Sequence, residues 1–156
     1  MADTKFLSFN LGVKDRAVIA LKCVKEVFQL SLSEICSVPE MPSYVLGIYN
    51  WRGEMLWLVE LEKLLAYTPL LQEVNVFSKM MVIVLQSHGK YLGILVRQPM
   101  DIDLLDTQQI KSPERQLFSP EILSFLQGYF INSFEEIIIA LDATAIIQSP
   151  IWEIHN

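Results

Sequence analysis

The stretch from Val38 to Leu65 reads VPEMPSYVLGIYNWRGEMLWLVELEKLL. Pro39 and Pro42 punctuate its start, which marks a turn rather than a regular element. Gly47 to Trp51 and Glu54 to Glu60 read as two strands joined through Arg52-Gly53. The second carries Met55-Leu56-Trp57-Leu58-Val59 with no polar face. Such a strand is buried on both sides, or is an edge that a partner covers. The arrangement predicts a β-barrel core with one charged residue, Arg52, at its edge. Leu61 to Tyr67 has length for only a short helix.

Working outward, the flanking segments are short and β-rich. Phe6 to Leu11 alternates, with Leu7, Phe9 and Leu11 on one face and Ser8 and Asn10 on the other. Ala17 to Leu21 follows a turn around Gly12. Val24 to Leu30 is a third strand, with Val24, Glu26 and Phe28 expected on one face and Val27 on the other. Thr68 to Ser78 is a connector. Lys79 to Gln86 and Tyr91 to Arg97 flank a glycine turn at Ser87-His88-Gly89-Lys90, a hairpin signal. Met100 to Leu105 reads as a further short strand. Ser112-Pro113-Glu114 and Ser119-Pro120-Glu121 are helix-start signals, and Ser112 to Gln127 is expected to hold a helix. Gly128 to Ile131 and Glu136 to Leu141 form a closing hairpin, and Asp142 to Ile147 a last short helix. About ten short strands without a βαβ rhythm favour a barrel or sandwich over a parallel sheet.

The chain has 156 residues, of which 52% are hydrophobic, and a net charge of −6. A chain of this length buries only ~70% of its unfolded surface, so some of the apolar excess lies outside, where it marks a partner surface. The acidic balance and scattered basic residues argue against nucleic acid. No stretch reaches the ~20 apolar residues of a membrane-spanning helix. With no signal-peptide pattern at Met1 to Lys5, the expectation is a cytoplasmic protein. Cys23 and Cys36 are expected to be buried, reduced thiols.

Catalysis finds little footing. His88 falls in a turn and His155 at the end of the sequence, neither spaced with a nucleophile and an acid. There is no HxxxH, CxxC, calcium loop or phosphate loop, so no cofactor or metal is expected. Glu135-Glu136 points to opposite sides of a hairpin tip rather than forming a working pair. The residues describe a binding module, not an enzyme.

The same segments resemble the CheW-like chemotaxis coupling proteins. The family's strand Val-x-Glu-Val is matched by Val24-Lys25-Glu26-Val27, and its Pro-x-x-Pro by Pro39-Glu40-Met41-Pro42. Its Gly-Val/Ile-x-Asn-Leu-Arg-Gly is matched by Gly47-Ile48-Tyr49-Asn50-Trp51-Arg52-Gly53, followed by an apolar strand ending in Glu60-Leu61. More loosely, Met81 to Val84, Gly93 to Val96 and Gly128 with Ile138 to Asp142 fit its later strands. The resemblance implies a mainly β fold of two intertwined SH3-like five-stranded β-barrel lobes with a few short helices. Its approximate lobes are 13–78 and 1–12 plus 79–148. It implies a non-enzymatic adaptor between methyl-accepting chemoreceptors and a CheA-type histidine kinase. Its partners would be the regulatory domain of that kinase and the cytoplasmic tip of the chemoreceptor, with other CheW-like proteins as further candidates. The Tyr-Asn-Trp-Arg-Gly variant resembles versions from pilus-linked or phototaxis systems.

The residues carried over as the receptor- and kinase-binding set are Val24, Glu26, Asn50, Trp51, Arg52, Gly53, Met81 and Val82. Each keeps a structural alternative. Arg52 before Gly53 can simply end a strand, and a Glu26–Arg52 pair can hold the fold. Val24, Met81 and Val82 can be core. Trp51 and Trp57 stand where the family commonly has Leu and Pro; tryptophan on an interface strand is a typical hot spot, and Trp57 equally suits a core. Glu60 replaces the usual aspartate, and Arg97 stands where the family usually has an acid. A stand-alone barrel binding a small apolar ligand is the alternative function, argued from the eight Phe, five Tyr and three Trp. A cysteine enzyme on Cys23 or Cys36 comes last, since no histidine is placed to activate either thiol.

Overall fold

Alternating apolar residues over short segments force the chain into strands, because each strand must put one row of side chains against another sheet. The computed structural model describes residues 3–67 and 79–148. The connector from Thr68 to Ser78 and His155 lie outside the described residues. The nine described strands are β1 (Asp3–Leu11), β2 (Asp15–Ala20), β3 (Val24–Ser31), β4 (Val45–Trp51), β5 (Glu54–Glu60), β6 (Lys79–Ser87), β7 (Lys90–Asp106), β8 (Leu126–Ile131) and β9 (Ile137–Leu141). Three one-turn helices accompany them, α1 (Leu61–Leu64), α2 (Pro120–Leu123) and α3 (Ala143–Ile147).

The strands form two five-stranded sheets that share β7. One runs β7-β1-β2-β9-β8 and the other β3-β6-β7-β5-β4. The separate strand expected at Met100 to Leu105 is the second half of β7. Residues Lys90 to Val96 pair with β6, and Arg97 to Asp106 pair with β1. This division differs from lobes of 13–78 and the remainder: β2 lies beside β1, and β6 beside β3.

Each sheet nearly closes on itself by the same device. Just past β3, Cys36 makes a single bridge to Ile48 on β4; just past β7, Lys111 makes one to Tyr129 on β8. Both bridges sit beside a glycine at a bulge. A Cβ at Gly47 would lie 2.2 Å from the Cys36 carbonyl oxygen, and one at Gly128 would lie 2.4 Å from that of Lys111. Only glycine admits so close an approach. The result is two partly open five-stranded barrels, the ends of each linked by a single bridge.

Three apolar clusters follow from the pleat. The main core lies between the sheets, joining Leu7, Phe9 and Ile19 of one to Val59, Ile83 and Ile94 of the other. The opposite faces fill the lobe interiors: Leu30, Trp51, Leu58, Val82 and Val84 in one, Phe6, Val18, Phe130 and Ala140 in the other. Ser8, on the inward face of β1, is fully buried but satisfied. Its hydroxyl donates to the Asp101 carbonyl at 3.3 Å and accepts from Arg16 Nη2 at 2.9 Å.

Of the helix expected between Ser112 and Gln127, only Pro120–Leu123 forms, with Pro at the first turn as its signal requires. Residues 111–117 are exposed, with too few apolar side chains to dock a face, and an undocked helix of that length does not hold. The helix after Leu61 is likewise one turn long, and α3 is capped by the Asp142 side chain accepting from the Ala145 N–H at 3.1 Å.

Candidate docking surface

The β4–β5 turn decides how Arg52 is presented. Arg52 and Gly53 both have positive φ, 53° and 78°, the two-residue geometry that matches strand twist in a hairpin. The preceding Asn50 holds it, its side-chain oxygen accepting from the Gly53 N–H at 3.1 Å. This left-handed arginine projects back over its neighbour. Its guanidinium sits 5.2 Å from the Trp51 ring centroid, a cation–π distance, and its Nη2 lies 2.8 Å from Glu26 Oε1. The same Glu26 oxygen accepts the Trp51 indole N–H at 2.9 Å. Glu26, Asn50, Trp51, Arg52 and Gly53 thus form one connected unit, in which Trp51 is buried and the Arg52 side chain is 59% exposed.

Trp51 itself is buried in a lobe interior, its ring 5.2 Å from that of Tyr91. Its hot-spot reading is therefore corrected: the indole supports Arg52 from below and offers no free face. Trp57 belongs to the main core, with its indole N–H lacking a hydrogen-bond partner.

The eight sequence-derived residues do not share one surface. A bulge between Val24 and Glu26 shifts register, so Val24 lies across from Leu85 and Glu26 from Val84. Neighbouring residues on β6 face opposite ways, which puts Val24 with Val27 on the main-core side and Glu26 with Phe28 on the lobe-interior side. Strict alternation had placed Val24, Glu26 and Phe28 together. Met81 joins Val24 on the main-core side, half-buried. Val82 faces inward and is fully buried in the lobe, so it reaches no partner.

Three residues missed in the sequence join the Val24–Met81 side of the main core. On the second half of β7, Met100 packs on the main core, while Ile102 and Leu104 continue the same row outward at 55% and 60% exposure. The alternation of Asp101, Asp103 and Leu105 with these three residues was their only signal. The apolar rim of the main core thus takes half-buried Val24 and Met81 from one sheet and Met100, with exposed Ile102 and Leu104 beyond it in the same row, from the other.

Other candidate chemistry resolves into packing. Ser87 Oγ lies 2.8 Å from His88 Nδ1 and 2.7 Å from Thr144 Oγ1, a tie between the β6–β7 turn and α3. Cys36 is exposed, not buried as expected, because its backbone serves the bridge at the rim of the barrel. Cys23 is half-buried, and burial pushes its thiol pKa up. Burial first, then the hydrogen bond to Asp15 at 2.5 Å, raise the Tyr67 pKa above the ordinary range. Clefts of 280 to 380 Å³ open on the surface, while the lobe interiors are filled by their own side chains. No group of three metal-ligating side chains occurs among the described residues, and none of the described helices is long and apolar enough to cross a membrane.

The model of the CheW-like domain family matches residues 5–150. The chain belongs to the CheW-like family. It is a chemotaxis-type scaffold adaptor without enzymatic activity. A probable chemotaxis protein CheW from Rhizobium etli is 29% identical over 144 residues, covering 86% of this chain and 83% of that protein. The crystal structure of the scaffolding protein TtCheW from Thermoanaerobacter tengcongensis superposes with a TM-score of 0.74 at 20% identity, over 91% of this chain and 90% of that one. That likeness carries the fold of this CheW-like chain: the two-barrel, mainly β architecture expected from the resemblance.

Proposed function

We propose that this CheW-like chain couples the cytoplasmic tip of a methyl-accepting chemoreceptor to the regulatory domain of a CheA-type histidine kinase. The observation that carries the reading is the exposed pair Ile102 and Leu104 on β7, which extends the row of Met100, a residue that packs on the same main core as half-buried Val24 and Met81. Exposed apolar residues beside a core edge suit a partner surface, and a receptor tip is a helical hairpin that would present apolar positions at i, i+3 and i+4. Arg52 supplies a separate charged group at the β4–β5 turn, paired with Glu26 and lying over the Trp51 ring. The reading makes Val24, Met81 and Arg52 contact residues, Glu26, Asn50, Trp51 and Gly53 their support, and Val82 core.

The test is a titration of the chain with a soluble receptor-tip hairpin and, separately, with a kinase regulatory domain. Binding of both, with the tip lost on Ile102→Asp or Arg52→Ala in folded protein, is the expected result. Failure of the wild-type chain to bind either partner would remove the coupling function while leaving the fold assignment intact.

A further inference from the structure

Glu62 is a carboxylate at 1% exposure, placed on α1 between the two sheets. Its Oε2 takes Arg97 Nε at 2.5 Å and the Gly12 N–H at 2.7 Å, while Oε1 has no hydrogen-bond partner. Burying a charge in this way costs free energy that apolar side chains of the same volume would not. What the charge supplies instead is direction, since charge-assisted hydrogen bonds fix a distance and an angle.

The three groups come from separate parts of the fold. Glu62 follows β5 in one sheet; Gly12 lies in the β1–β2 turn of the other. Arg97 stands where β7 passes between them, across from Asn10 of β1. The main core also joins the sheets, but apolar contact is non-directional, whereas the Glu62 contacts have a set distance and angle.

We infer that Glu62, with Arg97 as its counter-charge, is a positioning residue that sets how the two sheets sit against each other. It thereby shapes the docking rim, which takes Val24 and Met81 from one sheet and Ile102 and Leu104 from the other. The effect on docking rests on the function proposed above; the placement of the sheets does not, and is measured without a partner.

The test uses the full chain, isotopically labelled, as wild type, Arg97→Gln and the double variant Glu62→Met/Arg97→Met. Backbone residual dipolar couplings report the orientation of each sheet, and a soluble receptor-tip hairpin reports docking. Expected are couplings that fit the wild-type geometry within each sheet, a changed orientation between sheets, and about tenfold weaker tip binding. The double variant separates position from stability, because apolar replacement of a buried pair is commonly neutral or stabilising. Wild-type orientation in the folded double variant would overturn the inference. So would loss of folding in both variants, which would make the pair a stability element. A changed orientation with unaltered tip affinity would overturn its consequence for docking. A changed orientation when the wild type itself binds no tip would uphold the positioning role and overturn the receptor reading alone.

Discussion

The Trp51 indole N–H donates to Glu26 Oε1 at 2.9 Å, on the same oxygen that holds Arg52 at 2.8 Å. The two contacts have different worth. Trp51 is buried, so removing its acceptor leaves a donor unpaired, whereas Arg52 is mostly in water, where an ion pair adds little.

Glu26→Ala is therefore expected to destabilise the fold by about 1–3 kcal/mol through the orphaned indole. Arg52→Ala should cost no more than about 1 kcal/mol, because its pair is exposed. Urea denaturation compares them. If Arg52→Ala unfolds as readily as Glu26→Ala, the arginine is a structural residue and its binding defects say nothing about contact.

Val82 and Ile102 make the complementary pair. Val82→Ala removes a fully buried side chain and should cost about 1.5–3 kcal/mol, with any binding loss following from unfolding. Ile102→Asp, on an exposed strand edge, should leave the melting temperature nearly unchanged and abolish receptor-tip binding. Thermal melts paired with the titration decide it; a large drop in stability for Ile102→Asp would remove Ile102 from the docking rim.

Alkaline stability should depend on Tyr67. Its pKa is raised by burial and by Asp15, so the folded form keeps its proton where the unfolded tyrosine, near pH 10, loses it. The stabilisation is fully present below about pH 10 and is lost as pH rises toward the folded value. Tyr67→Phe should lose about 0.5–1.5 kcal/mol at neutral pH with its hydrogen bond, and decline less steeply above about pH 10. Tyr44 and Tyr129 are also raised, so the decline is reduced rather than removed. Chemical denaturation from neutral to alkaline pH reads the slope; an unchanged slope would place the titration elsewhere.

The two cysteines should separate by rate. Cys36 is exposed, and Cys23 is half-buried with a thiol pKa pushed up by burial. At neutral pH, where the thiolate is the reacting form, a maleimide should label Cys36 well before Cys23. Mass spectrometry after tryptic digestion checks the order, and faster labelling of Cys23 would contradict its placement.

Much of the fold was written in local sequence. Alternation and turn residues located eight of the nine described strands to within a few residues and split the ninth, β7, in two, since period-two burial and hairpin turns depend on near neighbours. The Arg52-Gly53 turn and its motif were legible for the same reason, as were the proline-led start of α2 and the position of α3. What local reading could not supply was anything set by register between distant strands. The bulge after Val24 reverses that residue's face relative to Glu26, and no neighbour in sequence announces it. Met100 to Leu105 looked like a strand of its own because the crossing of β7 between sheets depends on β1 and β6, each far away in the chain. Val82 and Met81 are adjacent and both apolar, yet one is core and the other rim; only the sheets packed on either side decide which. Arg97 read as a departure from the family's charge pattern. Its partner Glu62 lies 35 positions earlier, and a buried ion pair across that separation exists only once the sheets have closed around it. Near neighbours in the chain carry most strands, their turns and the family motif; which side chains reach the surface is set by the packed sheets, because burial is a property of packed surfaces and not of the chain.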